Sequence, residues 1–483
     1  MKSIEKVGAE VSVTIEVDAK APLNKQLDAT TEEHYATEEV PMSQRNIGFF
    51  DMVAIWVGAN SNNASWYVGG TVAGMAFAGA VGVTLISNPI AYLILALVGY
   101  MGFKVGTSTM ALTRPAFGIK GSLLPTFLNT IVFLGWAVVN TFIAVISMSF
   151  ILKDLFGWAA YGEPGSKGPM ILGIVFMSLL NLLSVSLGRN SIKIVERIGI
   201  VLVLILGVWI TVVVLNTHPL SAIMEWKAPP ESVVPVGKAV DIMAAFSLAW
   251  VLGIAEFTRY TRTARTATVA PLVGAYVSLL WFAFIGIIAT IGAALSTGMY
   301  NPENSDPSTI VTNLGLGSFA LILIVVACVT TNVVNLMAAG ISITNVTKKI
   351  KPLHAIWMVT VLAGFLMLVP LYLASFLDTF MGFLEYIGMV LSALLGILVA
   401  DYFVVKKRSY DVREFEKTGG AYWFYKGVNL KAVGVWAFGV AFFLVVSNSG
   451  ILNNSVGAVY PTILVTAVLY SLVSLKDKKP KLT

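Results

Sequence analysis

The sequence predicts an all-α polytopic membrane protein with twelve transmembrane helices. Of its 483 residues, 57% are hydrophobic and 12% are charged, whereas soluble domains carry about 25% charged residues. Apolar runs close to the spanning length of about 20 residues recur along the chain. They are called the first to twelfth spans here and begin near residues 50, 80, 123, 169, 195, 239, 268, 316, 354, 379, 432 and 456.

The basic residues orient these spans, because an even number of spans places both termini on one side of the membrane. That side carries 28 of the 32 Lys and Arg residues, and the opposite side carries only Lys153, Lys167, Lys227 and Lys238. Basic residues stay cytoplasmic, so we expect a plasma (inner) membrane protein with both termini in the cytoplasm. The net charge of +6 then reflects topology and gives no indication of a nucleic-acid partner. The N-terminal tail is polar, lacks the apolar run of a signal peptide and is expected to be flexible.

The first span is interrupted by polar residues at its centre. Residues 58–65 include three asparagines and two serines within an otherwise apolar stretch. Because lipid offers no hydrogen-bond partners, such an interruption is typical of a broken helix that lines a binding cavity in a secondary transporter. The alternative is an unbroken helix whose polar stripe packs on its neighbours.

The eighth span has adjacent hydroxyls at Thr330 and Thr331, with the carbonyl of Ala327 one turn earlier. A hard monovalent cation such as sodium needs oxygen ligands, and carbonyls freed in a broken first helix would supply the remainder. The alternative is that both hydroxyls bond to carbonyls of their own helix. The spacing fits a cation site and an ordinary transmembrane helix equally well.

The third span has a polar and aromatic stripe at Asn129, Phe133, Trp136 and Asn140, whose spacing places them on one helical face. An aromatic ring one turn from an amide suits a flat heterocycle, since the ring stacks and the amide reads donors and acceptors. Packing against neighbouring helices also produces such stripes. In the sixth span, residues 244–253 combine small residues, two aromatics and a glycine, which is consistent with a second broken helix.

Groups that support catalysis are scarce, so we expect no enzyme. None of the three histidines lies within a catalytic motif, and most acidic residues lie near span ends. Glu385 lies deeper, where a carboxylate can carry protons or pair with a polar neighbour. The single cysteine, Cys328, excludes disulfides and cysteine metal sites within the chain. A receptor that binds a ligand without moving it is the rival to a transporter, but both tails are short and carry no signalling domain.

Six segments together resemble the nucleobase–cation symporter family, which contains cytosine and purine permeases and hydantoin or allantoin transporters. The likeness extends from about residue 40 to about residue 410. Each segment is weakly specific, but all six occur in the family's order and on the corresponding spans. They lie at residues 64–71, 114–122, 135–136, 255–260, 330–332 and 400–408.

The resemblance implies a leucine-transporter type of core, in which two five-helix repeats have inverted topology and the first and sixth helices are broken. Two further helices follow the core. The implied divisions are a flexible cytoplasmic N-terminal tail, the first repeat, the second repeat, two C-terminal helices and a cytoplasmic tail. Their bounds are residues 1–45, 46–216, 237–405, 430–475 and 476–483.

The resemblance also implies the two binding sites. A sodium ion would lie between the first and eighth helices, held by the carbonyls of Gly58, Ser61 and Ala327 and by the hydroxyls of Thr330 and Thr331. The substrate would stack on Trp136 and on an aromatic residue of the sixth helix. With the amides that are placed to read it, the candidate substrate-binding residues are Asn62, Asn63, Phe133, Trp136, Asn140, Phe246, Ser247, Asn332 and Asn335.

Departures from the family pattern concern the identity of the substrate. Cytosine permeases carry a glutamine at the position of Phe133, and the sixth-helix aromatic aligns with Ser247, one residue from Phe246. We expect a monomer that imports a nucleobase (cytosine or a purine) or a closely related heterocycle together with sodium, and that needs no other cofactor. Because Phe133 adds apolar surface, a purine should be tolerated at least as well as cytosine. Proton-coupled symport of hydantoin, allantoin or a thiamine-precursor pyrimidine is the alternative.

Overall fold

The structure is a computed structural model that describes residues 37–186, 189–346, 350–372 and 375–475. The predicted N-terminal tail therefore lies outside the described residues up to residue 36, and the predicted C-terminal tail lies outside them entirely. The described chain is helical. Its long helices are α1 Phe49–Asn60, α2 Asn63–Thr71, α3 Ala76–Val105, α4 Leu123–Phe156, α5 Lys167–Ser186, α6 Arg189–Thr217, α7 Val236–Leu248, α8 Ala264–Thr297, α9 Gly317–Val346, α10 Pro352–Leu366, α11 Phe376–Ala400, α12 Leu430–Ser447 and α13 Val459–Leu475.

These helices confirm the predicted class of multi-span α-helical membrane protein. Within the described residues, ten segments are long and apolar enough to cross a bilayer, and α1 and α13 are shorter apolar helices. Helices α1 and α2 together form the first predicted span, and α3 to α13 follow as the second to twelfth. The number twelve and the inverted repeats agree with this order and remain predictions.

Glycines allow α2 and α8 to pack in direct backbone contact. A β-carbon on Gly69 would overlap the carbonyl oxygen of Ala283, and one on Gly286 would overlap that of Trp66. The Gly69-Gly70 pair of the resembling first-span segment therefore has a structural role. Helix α8 also packs against α1 and α3, while α4 lies along α9.

Two more of the resembling segments join loops to helices. In the loop after α3, the backbone N–H and hydroxyl of Thr109 donate to the carboxylate of Glu256, at 2.9 and 3.0 Å. Ala116 lies further along that loop, and its carbonyl accepts a hydrogen bond from Asn429 at the start of α12. Arg114 also donates to the carbonyl of Phe415. These contacts fix the loop between the second and third spans to the end of the sixth span and to the loop after α11.

Candidate functional site

The first span is broken where its sequence becomes polar. Helix α1 ends at Asn60, and Asn62 adopts an extended backbone before α2 begins. The Asn62 side chain bonds to both new helix ends, because its Oδ1 accepts from the N–H of Ser65 at 2.9 Å and its Nδ2 donates to the carbonyl of Ala59 at 2.8 Å. The Ser61 hydroxyl donates to the carbonyl of Val57. The polar side chains thus supply hydrogen-bond partners for backbone groups that the break frees inside the membrane.

Two other asparagines anchor this break to neighbouring spans. Asn60, which sequence reasoning left outside the site, donates to the hydroxyl of Tyr92 at 2.7 Å and to the carbonyl of Ala275 at 3.0 Å. Asn63 donates to Cys328 and to the carbonyl of Ile324 in α9. Both side chains are buried, and their contacts hold the break in place.

The sixth span changes its helical geometry instead of unwinding. Helix α7 ends at Leu248, a 3₁₀ turn follows over Ala249–Gly253, and a short α-helix occupies Ala255–Thr258. The tighter turn carries Trp250, which contacts Trp56 edge-on with ring centroids 5.9 Å apart. The predicted irregularity is present, and its form is a narrowed helix.

A cavity of about 20 Å³ lies between the first, third, sixth and eighth spans. That volume accommodates roughly one water molecule, so a heterocycle enters only if the lining side chains move apart. Five of the nine candidate substrate residues line the cavity, and Ala64, Trp250 and Thr331 complete it. The five are Asn62, Trp136, Asn140, Phe246 and Asn335.

Trp136 is held in this wall by aromatic rings that contact it edge-on. Its ring centroid lies 5.1 Å from that of Phe246 and 5.2 Å from that of Phe383. Gly135 makes the second contact possible, because a β-carbon at this position would overlap the Phe383 ring. The Gly135-Trp136 pair therefore fixes the orientation of the indole beside the cavity.

Asn140 presents an unsatisfied acceptor. Its Nδ2 donates to the carbonyl of Trp136 at 2.9 Å, and its Oδ1 is buried without a hydrogen-bond partner among the described residues. An unpaired buried acceptor costs about 1–3 kcal/mol. Because Asn140 lines the cavity, a ligand that donates an N–H or O–H to this oxygen would remove that cost.

The other candidate substrate residues lie outside the cavity lining and have different neighbours. Ser247 donates to Asn88 at 2.9 Å. Asn332 donates to the hydroxyl of Thr141. Phe133 packs near Gly253, where a β-carbon would lie 3.5 Å from its Cζ atom. Together with Asn63, these residues connect the spans around the cavity.

An aromatic cluster packs beside the cavity, against Trp136. It is formed by Tyr67, Phe142, Phe376 and Phe380, all buried. The Tyr67 ring stacks on Phe380 at 4.5 Å and on Phe376 at 5.2 Å. Phe380 in turn contacts Trp136 at 6.2 Å, so the cluster rests directly on the cavity wall.

The two threonines predicted to bind sodium both donate to the carbonyl of Ala327, at 2.8 Å for Thr330 and 3.0 Å for Thr331. This is the intrahelical arrangement expected of membrane threonines. A hydroxyl that donates its proton keeps its lone pairs, so the same conformation still presents oxygen atoms to a cation. Thr331 also lines the cavity, which places the end of the predicted cation site beside the predicted substrate site.

Helix α6 contacts both halves of the predicted cation site, which the sequence did not indicate. A β-carbon on Gly58 would lie 2.7 Å from Cδ1 of Ile200, and one on Gly199 would overlap the hydroxyl of Thr330. The fifth span therefore packs against the break in the first span and against the eighth.

Comparison with known proteins places this architecture in a family. The family model described as "Permease for cytosine/purines, uracil, thiamine, allantoin" matches residues 39–468. The allantoin permease of Bacillus subtilis is 25% identical over 84% of this chain and 86% of its own length. The cytosine permease of Escherichia coli K12 is also 25% identical, over 78% of this chain and 82% of its own.

Solved structures share the fold. The inward-facing conformation of Mhp1 has a TM-score of 0.75 at 18% identity and covers 92% of this chain and 93% of its own. Mhp1 in a closed conformation with bromovinylhydantoin bound is described as a nucleobase-cation-symport-1 family transporter. It has a TM-score of 0.72 at 19% identity and covers 92% of this chain and 95% of its own.

Proposed function

Because the chain belongs to the family of permeases for cytosine, purines, uracil, thiamine and allantoin, we propose that it imports a nucleobase or closely related heterocycle by sodium-coupled alternating access. The chain is a multi-pass membrane transporter and not an enzyme. In the proposal it works as a monomer in the plasma membrane, with both termini in the cytoplasm, consistent with the distribution of its basic residues.

The observation that carries the proposal is the wall formed by Trp136 and Asn140. An indole held edge-on by neighbouring rings offers a face for a flat ligand, and the unpaired Oδ1 of Asn140 offers an acceptor at the same cavity. The amides of Asn62 and Asn335 complete the polar part of the lining. A planar heterocycle with ring N–H groups combines the features that such a wall recognises.

Coupling to sodium rests on the position of Thr331, a predicted sodium ligand that also lines the cavity. A cation bound by the carbonyls of α1 and the hydroxyls of α9 would fix the relative position of these helices and so shape the cavity. Affinity for the substrate and for the cation would then rise together, because linkage is reciprocal. Proton coupling through Glu385 is less favoured, since this side chain is exposed on α11.

Uptake into proteoliposomes tests the proposal. Radiolabelled cytosine, hypoxanthine and allantoin would be offered in parallel, with an inward sodium gradient, with an inward proton gradient or with neither. We expect uptake of at least one of these compounds to require the sodium gradient. Uptake driven only by the proton gradient would refute sodium coupling. Ligand binding without accumulation under any gradient would refute transport of these compounds.

Competition defines the substrate class within this proposal. Adenine, guanine and hypoxanthine should displace the labelled substrate at least as well as cytosine does. Phe133 packs against the sixth span outside the lining, so its influence on ring size would be indirect. If cytosine displaces the label and the purines do not at hundredfold excess, a window of about 2.7 kcal/mol, the site is specific for a single-ring base.

A further inference from the structure

A second and larger cavity, of about 380 Å³, lies where α11 and α13 end and α12 begins, on the membrane side that carries most of the basic residues. Helix α11 continues there as a π-helical turn over Asp401–Val405. Lys406, Tyr425, Lys431 and Ser474 are part of the cavity wall. The cavity shares no lining residue with the smaller one, and its size is within the usual range of ligand pockets, about 300–1,000 Å³.

The loop that forms most of this wall, residues 405–431, contains seven basic and three acidic residues. Its acidic residues are already paired, as Asp411 with Arg413 at 2.9 Å, Glu414 with Lys417 at 2.7 Å and Glu416 with Arg114 at 3.6 Å. Among the residues that the structure describes, no carboxylate lies within ion-pair distance of Lys406, Lys407, Arg408 or Lys426.

Asp401, the acidic residue among the described residues of the wall, has a structural role. Asp401 is buried, and its two carboxylate oxygens accept hydrogen bonds from the hydroxyls of Tyr410 at 2.7 Å and Tyr470 at 2.8 Å. These bonds use the carboxylate to join the end of α11 to α13 and to the loop. Lys406 and Lys431 are the basic side chains among the described residues that line the cavity.

The loop backbone is unusual at the same place. Lys407, Arg408, Phe424 and Lys426 have φ angles of 51°, 64°, 51° and 51°, in the left-handed region that residues with a β-carbon rarely occupy. Such conformations persist only where surrounding structure imposes them, and they concentrate at functional sites. They occur on both arms of the loop, beside Lys406 on one arm and Tyr425 on the other.

Three exposed aliphatic side chains form what is called the aliphatic border here: Leu430 lines the cavity, and Val404 and Leu472 lie within two residues of lining residues in the chain. Leu430 is 61% exposed at the start of α12, Leu472 is 57% exposed near the end of α13, and Val404 is 47% exposed at the end of α11. Basic residues and aromatics at the level where spans end, above exposed aliphatic residues, match the headgroup and acyl regions of a bilayer.

We propose that this cavity binds an anionic phospholipid. The phosphate contacts Lys406 and Lys431, the polar headgroup occupies the cavity beside Tyr425 and Ser474, and the acyl chains follow the aliphatic border. Lys431 is held at the wall by a bond from its Nζ to the carbonyl of Val473 at 3.1 Å. The occupied cavity would fasten α12 and α13 to the end of the tenth span.

The test measures binding of short-chain lipids to the purified full-length protein in neutral detergent, by native mass spectrometry and thermal stabilisation. Dioctanoyl phosphatidylglycerol should bind and raise the melting temperature, whereas dioctanoyl phosphatidylcholine and inorganic phosphate should not at the same concentration. The Lys406→Gln/Lys431→Gln variant should bind the anionic lipid at least tenfold more weakly. The matched control, Arg413→Gln/Lys417→Gln, removes the same charge from the same loop and should stay within twofold.

Ser474→Trp provides a second variant that fills the cavity without changing its charge, and it should also abolish specific binding. The proposal is overturned if both charge variants lose affinity equally, because the attraction is then general to the loop. It is overturned too if phosphatidylcholine binds as tightly as phosphatidylglycerol. Inorganic phosphate that binds as tightly as the lipid would identify a free-anion site, and unchanged binding in Ser474→Trp would place the lipid elsewhere.

Discussion

Replacing Asn140 with leucine should change ligand affinity and protein stability in opposite directions. In the present structure Asn140 has only 2% of its surface exposed, and its Oδ1 is buried without a partner among the described residues. Leucine removes this unpaired acceptor, which costs about 1–3 kcal/mol, and gives up only the bond to the carbonyl of Trp136. That carbonyl lies within helix α4, so the ligand-free variant should melt at the same or a higher temperature.

Binding should weaken in the same variant. A ligand whose N–H donates to Oδ1 would face an apolar methyl group instead and would leave its own donor unpaired, at a cost of about 1–3 kcal/mol. At 1.4 kcal/mol per factor of ten, the dissociation constant should rise roughly 5- to 150-fold. Scintillation proximity binding gives the affinity, and thermal melting without ligand gives the stability.

Asn332→Leu is the matched control for this experiment. Asn332 is also a fully buried asparagine with an unpaired Oδ1 among the described residues, and it lies outside the cavity lining. Its replacement should alter stability, since Nδ2 donates to Thr141, and should leave affinity within a few-fold of the original. If the Asn140 and Asn332 variants lose affinity equally, or if Asn140→Leu binds normally, Asn140 does not read the ligand.

The remaining predictions concern the cation, the ring and a buried carboxyl. Thr330→Ala/Thr331→Ala should abolish the enhancement of substrate binding by sodium. The control Thr360→Ala, which removes another buried intrahelical hydroxyl, should retain it. Binding titrations with and without sodium test this difference. Trp136→Ala should weaken binding about tenfold or more, because stacking contributes roughly 1–3 kcal/mol, and Trp136→Phe should keep much of the affinity; equal losses would mean that Trp136 only packs. Burial raises the pKa of Asp306, which lies between the seventh and eighth spans, to about 6. The folded protein then holds this proton more tightly than the unfolded chain, so stability should fall as pH rises from about 4 to about 6. Asp306→Asn should remove that slope in thermal melts, and an unchanged slope would exclude this carboxyl as its source.

The sequence predicted the break in the first span because its cause is local. Amides at mid-span have no partners in lipid, so a helix that contains Asn60, Asn62 and Asn63 must pair them within the protein. Which amide faces the cavity is not a local property. Asn63 bonds to Cys328, which is 265 residues away in the chain, and only the packing of α2 against α9 determines that partner.

Local sequence also does not determine which residues of the sixth and eighth spans line the cavity. Trp250 joins the cavity through a 3₁₀ turn that begins at Ala249, and no single residue in that stretch marks the change of helical geometry. Asn332 and Asn335 looked equivalent in sequence, yet only Asn335 lines the cavity. Asn332 lies nearly one turn earlier and meets Thr141 across the interface between α4 and α9.

The narrowness of the substrate cavity, about 20 Å³, has a consequence for measured affinities. If the expanded form that admits a heterocycle makes up a fraction f of the population, the apparent dissociation constant is larger than the intrinsic one by a factor of 1/f. With an expanded fraction of about 1%, the apparent dissociation constant of even a well-matched base would be roughly a hundredfold larger than its intrinsic dissociation constant for the expanded form. Any change that favours expansion would then tighten binding without touching the ligand. A cation that holds α1 and α9 in the expanded arrangement is one such change. Strong binding to this protein is therefore as much a measure of how readily its aromatic side chains withdraw as of how well they fit.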